Sequence, residues 1–498
     1  MNRFLETAPV DDRRQHQLQH MPMIETRSTI IGLVLIFIVG VVLRVWLISY
    51  MPVLLTNDSP DYLASMIAIA KNLDFSRLGD WRMPGYPLFL AALSYVAGYM
   101  SDNILAAQVL VDLLCIPLAY LLGREFRSRA VALGLAGFIA VNPVYILNAH
   151  AIMTEGLFLF LLLLATLISI KVYRGDRKLP TAILFGILTG LGILTRANGI
   201  AYFLVLTLLA YTGLLRREFK LAKQTIHAAL VCLVVTIMLI GIWVNRNALQ
   251  CGIVSITCNN NRNFIVFLWQ NDVFDALLPV TKSINKVYDP SHPETIWNFI
   301  WQLRQQQPYQ DEGLAWQIVR EQITAHPLSY ISAVVTSLFR FGGVWPSWSD
   351  DSRLHDASSW FMIMNDSQML QTQNKSMAAI PDLKPFTLQR DTVQPTAMSL
   401  LFSRIGLIYL QIFRGGIFLI VIVMLSYWGL LRIRFGRGHL PDQYRAVWPI
   451  VIACICIAGL HAVSVSPFER ATTPFDWIIF LSLLIFASAI KRETKQGT

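Results

Sequence analysis

Thr56-Asn-Asp-Ser-Pro-Asp-Tyr62 and, a little further on, Trp81-Arg-Met-Pro-Gly-Tyr-Pro87 come directly after an apolar run that ends near Tyr50. A run of that kind crosses a hydrocarbon layer of about 30 Å. The two motifs therefore set acids, and then a proline-framed arginine, at one membrane surface. Carboxylates in such a place can take the proton of an acceptor hydroxyl, and a guanidinium beside them can hold an anionic leaving group.

Outward from that stretch the apolar theme repeats. The 498 residues are 55% hydrophobic and 14% charged, with a mean hydropathy of +0.51. The pattern predicts an all-α polytopic membrane protein of about ten transmembrane helices. The expected spans are Ile30–Tyr50, Ile104–Leu122, Ala130–Leu147, Gly156–Val172, Thr181–Leu194, Gly199–Leu215, Ala228–Val244, Gln411–Leu431, Val447–Val463 and Trp477–Ile490. Lys and Arg accumulate in cytoplasmic segments. The N-terminal tail and residues 124–129, 171–178, 216–223, 432–445 and 491–495 hold 22 Lys+Arg against 9 Asp+Glu, which leaves 19 against 22 for the remainder. Both termini are thus expected in the cytoplasm, and the net charge of +10 is expected to meet anionic inner-leaflet lipids rather than nucleic acid. The first apolar run lacks a small-residue cleavage site and reads as a signal anchor.

Two outer segments are too long to be simple connectors. Met51–Asn103 contains two amphipathic stretches, Ser59–Asn72 and Tyr86–Met100, expected to lie flat on the outer surface. Asn245–Tyr409 is expected to pack over the spans, so that residues 1–498 form a single domain. Leu328–Trp345 is read as outside or re-entrant, because crossing there would bring Pro346–Ser399 inside with 4 Lys+Arg against 6 Asp+Glu. Cys115, Cys232, Cys454 and Cys456 fall inside spans as small apolar fillers. Cys251 and Cys258, on the outer side, are candidates for a disulfide.

Asp58, partly desolvated yet reachable from water, suits a general base. Asn57, Asp58 or Ser59 before Pro60 is equally a good helix N-cap, and both readings stand. Asp61 reads as a first-turn acid favouring the helix dipole. Arg82, held by Pro84, Gly85 and Pro87, has phosphate as its natural bidentate partner; a surface arginine before a turn is the plainer alternative. Glu155 opens a span on the same side, either as a second acid or as a first-turn acid with Thr154 as cap. Arg196, Arg246, Arg404, Arg414 and Arg470 lie at outer ends, and some are expected to converge on an anionic headgroup, Arg246 and Arg470 above all. Two outer carboxylates can share a divalent cation, but no His/Cys/Asp cluster at metal spacing appears, so metal and cofactor stay unassigned. Arg44 and Asp112 fall at similar depths, about 9 and 12 Å from the outer ends of their spans, which predicts a structural ion pair between those spans. Gly186, Gly190 and Gly192 sit within an apolar helix and read as close-packing residues, not as a nucleotide loop. A site on the outer side then needs a donor carried on a membrane lipid.

Taken in order, Asn57-Asp-Ser-Pro-Asp-Tyr62, Arg82-Met-Pro-Gly-Tyr-Pro-Leu-Phe-Leu-Ala91, Met153-Thr-Glu-Gly156, Leu194-Thr-Arg-Ala197, Ile242-Trp-Val-Asn-Arg-Asn247 and His326-Pro-Leu-Ser-Tyr330 resemble GT-C glycosyltransferases of the dolichyl-phosphate-mannose protein mannosyltransferase and aminoarabinose transferase group. The resemblance implies a GT-C-like bundle topped by juxtamembrane helices. It also implies inverting sugar transfer from a polyprenyl-phosphate donor at the periplasmic or lumenal face. Asp58 takes the catalytic base position by that match, Glu155 the second acid, and Arg82 a place near the donor phosphate, with Arg196, Arg246 and Arg470 as further cations there. Two departures bear on the acceptor: the protein mannosyltransferases have Asp-Glu where this chain has Asp58-Ser59, and many bacterial relatives have a Gly-rich turn where it has Asn259-Asn-Asn261-Arg-Asn263. The expected partners are a polyprenyl-phosphate sugar, a glycan, lipid or protein acceptor, and the lipids of a bacterial inner membrane. The competing readings are a polytopic transporter or lipid flippase, and a lipid-linked glycan polymerase or ligase. A transporter gathers polar groups at the bilayer midplane, whereas here they crowd the outer ends.

Overall fold

Apolar side chains on every face leave Arg27–Tyr50 without a wet side, and it forms one unbroken helix of 24 residues, α1. The computed structural model describes residues 26–50, 58–75, 78, 82–98, 101–126, 128–173, 176, 178–215, 222–251, 254–257, 260–285, 287, 289, 296–306 and 311–341, with 401, 404–406, 408–409, 476–478, 480–481 and 484. The expected spans Gln411–Leu431 and Val447–Val463, most of Trp477–Ile490, and Asn57, Cys258, Arg414, Cys454, Cys456, Arg470 and Pro346–Ser399 lie outside the described residues.

Every described element is helical. After α1 come α2 (Ser59–Asn72), α3 (Gly85–Ala97), α4 (Ser101–Leu113), α5 (Cys115–Arg124), α6 (Arg129–Val141), α7 (Pro143–His150), α8 (Glu155–Tyr173), α9 (Leu179–Thr195), α10 (Ile200–Leu215) and α11 (Ala222–Cys251). Among the described residues four helices are long and apolar enough to cross a membrane: Arg27–Ser49, Asn103–Arg124, Glu155–Tyr173 and Ile226–Gln250. The pair α6 and α7 makes a fifth when taken as one broken span. Thr181–Leu194 and Gly199–Leu215, expected to cross, belong to helices of 17 and 16 residues. Ser59–Asn72 is helical as expected but is enclosed beyond what a flat surface helix would be, with six consecutive residues from Ser65 to Ala70 buried.

Ala130–Leu147 is not the straight span the sequence suggested, because it bends by 51° between α6 and α7. The cause is Asn142-Pro143. Asn142 leaves the helix, and its side-chain oxygen accepts from the N–H groups of Val144 (2.9 Å) and Tyr145 (3.4 Å). Pro143 has no N–H to give. The carbonyls of Ile139 and Ala140 therefore lose the residues that would have bonded them four positions on, inside an apolar medium where an unmet carbonyl costs several kcal/mol. Arg44 meets both: Nη2 donates to Ile139 at 3.3 Å and Nη1 to Ala140 at 3.0 Å, as well as to Gly40 of its own helix at 3.2 Å. Its Nε donates to Asp112 Oδ2 at 2.6 Å, with both side chains 1% exposed. The structure thus brings Arg44 and Asp112 together, and it adds the helix end that the guanidinium serves. The far side of the same bend is fastened toward the C-terminus, where Asn142 Nδ2 donates to Tyr409 Oη (2.8 Å) and Tyr409 donates to Asp476 (2.9 Å).

Small residues close the bundle elsewhere. A Cβ at Gly186 would stand 2.7 Å from the Cys232 carbonyl oxygen, and one at Gly192 would stand 2.2 Å from the Phe203 ring. These glycines let α9 lie against α11 and α10. Cys115 and Cys232 are free and buried within the same core.

A second apolar cluster is built from α12 (Asn260–Gln270), α13 (Pro279–Ile284), α14 (Ile296–Gln306), α15 (Asp311–Ala325) and α16 (Pro327–Phe341). Leu278 cannot cap α13, and the Glu321 carboxylate of α15 supplies the acceptor instead, to Val280 N (2.7 Å) and Thr281 N (3.1 Å). Gln322 beside it spends both ends of its amide on Asp275 and Thr281. The described part of Leu328–Trp345 forms α16, whose Ala333 is buried in this second cluster.

Replacing Arg44 leaves the buried Asp112 carboxyl without its partner and two carbonyls unmet. R44M is expected to lower the unfolding free energy by about 3–5 kcal/mol, and R44M/D112L to recover part of that loss. Thermal unfolding of the detergent-solubilised protein measures both, and a wild-type melting temperature for R44M would refute the capping role.

Candidate active site

Proline and an acid start α2: Pro60 stands in its first turn with Asp61, and Asp58 occupies the capping position. Its carboxylate nevertheless makes no capping hydrogen bond. It is turned instead to Arg82, whose Nη2 donates to Oδ1. Asp58 thus holds the capping position with a helical backbone (φ −88°, ψ −23°) instead of the extended one of a capping residue, and its side chain meets Arg82. Arg82 Nε reaches Asp61 Oδ2 at 3.4 Å, and the guanidinium lies over the Tyr62 ring, 5.8 Å from its centroid. The Arg82 side chain is 27% exposed and that of Asp58 11%, so the guanidinium is partly accessible and the carboxylate largely enclosed.

The chain between Asp58 and Arg82 is shaped by its own turns. Leu73, with φ 51°, ends α2 in the left-handed region, and Asp74 N returns to the Ala68 carbonyl at 3.2 Å. Arg246 of α11 donates through Nη2 to the Leu78 carbonyl and stacks 4.6 Å from the Trp243 ring centroid. Gly85 lets the start of α3 rest on the end of α9, where a Cβ would meet the Leu194 oxygen and the Thr195 nitrogen at 2.8 Å. Arg196 is the next residue along.

A second ion pair lies beneath the first. Arg196 Nη1 is 2.8 Å from Glu155 Oε1, with the Glu155 side chain fully enclosed and Arg196 14% exposed. Arg196 also donates to Thr154 Oγ1 at 3.2 Å, Thr154 donates to Glu155 Oε2 at 3.2 Å, and the guanidinium packs over Phe158 at 5.9 Å. Glu155, expected on the same side as Asp58, acts on the same Tyr62 as Asp58 does, with its side chain enclosed and held by Arg196. Arg246 likewise makes its described bonds to Leu78 and Asn247, on the loop that leads to Arg82.

Tyr62 stands where the fields of both pairs meet. Burial first, then the Asp58 carboxylate, pushes its phenol well above the ordinary range, while Arg82 and Arg196 pull the other way. It stays a neutral group beneath the Arg82 guanidinium. The sequence offered no separate signal for Tyr62 beyond its place one helical turn after Asp58. The Glu155–Arg196 pair joins residues forty-odd positions apart and had no local signature. Among the described residues no three His, Cys, Asp or Glu side chains converge as metal ligands. The arrangement can therefore present a part-exposed guanidinium flanked by a largely enclosed carboxylate, Asp58, and an exposed one, Asp61, with a buried ion pair nearby, to a hydroxyl and an anion.

Comparisons with known proteins bear on this stretch. A family model, dolichyl-phosphate-mannose-protein mannosyltransferase, matches residues 82–243. No curated protein matches the chain. Among solved structures, the archaeal oligosaccharyltransferase AglB from Archaeoglobus fulgidus, in complex with an inhibitory peptide and a dolichol-phosphate, is 14% identical with a TM-score of 0.36, over 88% of this chain and 56% of that one. The same organism's oligosaccharyltransferase tethered to an acceptor peptide containing the NVT sequon is 12% identical with a TM-score of 0.37, over 90% and 55%. The chain spans about half the length of the solved structures it matches. The segment that carries Arg82, Glu155 and Arg196 is thus similar to the dolichyl-phosphate-mannose-protein mannosyltransferase family, as the ordered motifs led one to expect.

Proposed function

We propose that this chain is a membrane glycosyltransferase that moves a sugar from a polyprenyl-phosphate donor to an acceptor hydroxyl, by inversion, at the periplasmic or lumenal face. The observation that carries the reading is the Asp58–Arg82 contact, whose guanidinium is partly exposed and stands at the start of the matched family segment. The basic segments support cytoplasmic termini, and a bacterial inner membrane is assigned because Asn57-Asp-Ser59 would be a glycosylation sequon within the proposed site. A glycan, lipid or protein can supply the hydroxyl.

In the reaction, the donor phosphate competes with Asp58 for the Arg82 guanidinium, a bidentate partner of phosphate. Asp58, released, takes the proton of the acceptor hydroxyl as its oxygen bonds to the anomeric carbon. The bond from that carbon to the phosphate oxygen breaks, and the electron pair leaves on polyprenyl phosphate, whose charge Arg82 offsets. Arg196, and Arg470 outside the described residues, are assigned to the same anionic side. Glu155 acts through Arg196 by fixing where that cation stands. Arg246 acts from further back by gripping the loop that leads to Arg82. The transporter reading has less support, because Arg44, the deep cation it would need, is spent on the α6 carbonyls and Asp112.

The direct test offers purified protein a panel of polyprenyl-phosphate sugars with an acceptor extract and follows release of free polyprenyl phosphate. D58N is expected to lose about 10²–10⁴-fold in turnover with donor binding retained, and near-normal turnover would reject the base assignment. R82A is expected to weaken donor binding by about 10–100-fold, from the loss of a charge-assisted bond of about 1.5–3 kcal/mol; an unchanged donor KM would remove Arg82 from the phosphate. R196M strands a buried carboxylate and is expected to destabilise by about 3–5 kcal/mol. E155Q added to it should restore part of the melting temperature, and no restoration would show that the two residues are not coupled.

A further inference from the structure

Gln108, in the middle of α4, is 2% exposed among apolar neighbours, and each polar atom of its amide is used. Tyr86 Oη donates to Oε1 at 2.5 Å, while Nε2 donates to the carbonyls of Ala149 (3.1 Å) and Ala151 (2.6 Å). Those carbonyls belong to the end of α7 and the extended link that delivers Thr154 and Glu155. Tyr86 is the second residue of α3, four positions after Arg82. Ser59 Oγ, next to Asp58, donates to the Ile152 carbonyl of the same link at 3.1 Å. One amide therefore lies between the two halves of the site, tying the α3 start behind Arg82 to the backbone that carries Glu155 and, through it, Arg196.

We propose that Gln108 is a positioning residue for the transfer reaction, setting the register of the Glu155–Arg196 pair against Asp58 and Arg82. The inference rests on the transferase reading for its kinetic part only. An amide suits the task because it accepts from a phenol and donates to two carbonyls at once, which no apolar or ionised side chain of similar size can do. The site is dry, so an unmade bond there is not replaced by water. A displacement of about 1 Å between reacting groups costs on the order of 10²-fold in rate.

The experiment compares wild type, Q108L and Q108E in detergent or nanodiscs by turnover, donor KM and hydrogen–deuterium exchange over residues 149–156. Q108L is expected to lose about 10²-fold in kcat, with donor KM within a few-fold and faster exchange over that link. Q108E keeps the acceptor for Tyr86 but, when ionised, turns oxygens toward two carbonyls. Its introduced carboxyl donates only when protonated, so kcat is expected to recover as pH falls, where the wild type shows no such rise. That acid recovery at constant donor KM would not come from a loss of stability alone. Wild-type kcat in Q108L, or a wild-type pH profile in Q108E, overturns the proposal. Should Q108L fail to fold, the Q108E profile decides. Should wild type turn over no polyprenyl-phosphate sugar, the transferase reading fails, and exchange over 149–156 decides for Gln108: faster exchange in Q108E supports its hold on the link, and unchanged exchange overturns it.

Discussion

Two carbonyls with no amide to meet them, at Ile139 and Ala140, are the constraint from which much of this bundle follows. Asn142-Pro143 creates them, and an apolar medium gives them no water. Arg44 is the solution, reaching from α1 across to the end of α6, and Asp112 makes the buried charge tolerable. A neutral side chain of the same length would offer too few donors for three carbonyls and a carboxylate. The break is thereby held at a fixed angle, and α7 leaves it in the direction that brings the link 151–154 beneath α2 and α3.

The site so delivered consists of two ion pairs that differ in what surrounds them. Asp58 and Arg82 are partly wetted, so their attraction is screened and can be exchanged for another partner. Glu155 and Arg196 are enclosed, where separating the charges would cost far more than the bond returns. On the proposed reading, this contrast suits the outer pair to open during the reaction and the inner one to serve as a fixed charge. Tyr62, between them, feels both and contributes a neutral hydroxyl.

Much of this was legible in the residues. Apolar runs located the helices, and the depth of Arg44 and Asp112 in their spans was enough to pair them, because a lone charge at such depth is rarely left uncompensated. The Pro-framed Arg82 and the acids around Pro60, singled out by their motifs, are brought into contact. What the sequence hid has physical reasons. Asn142-Pro143 sits within a run whose hydropathy averages away a break, since carbonyl satisfaction is not a property of composition. Glu155 read as a second acid or a first-turn acid, and its pairing was hidden because Arg196 arrives from the end of another helix. Gln108 is one amide in an apolar stretch, and only the backbone carbonyls around it reveal what it holds. Arg470, assigned to the phosphate side from its motif, lies outside the described residues.

The occupation of Arg82 by Asp58 has a consequence for the surroundings of the site. A bilayer is crowded with anionic headgroups at concentrations far above that of any scarce carrier lipid. A bare guanidinium facing them would be saturated by bystanders. Here an incoming anion must displace a carboxylate already in place, which taxes every ligand equally and leaves occupancy to those that make additional contacts beyond the charge. On the donor role proposed for Arg82, weak affinity for the commonplace lipid follows from this contact, at some cost in affinity for the donor.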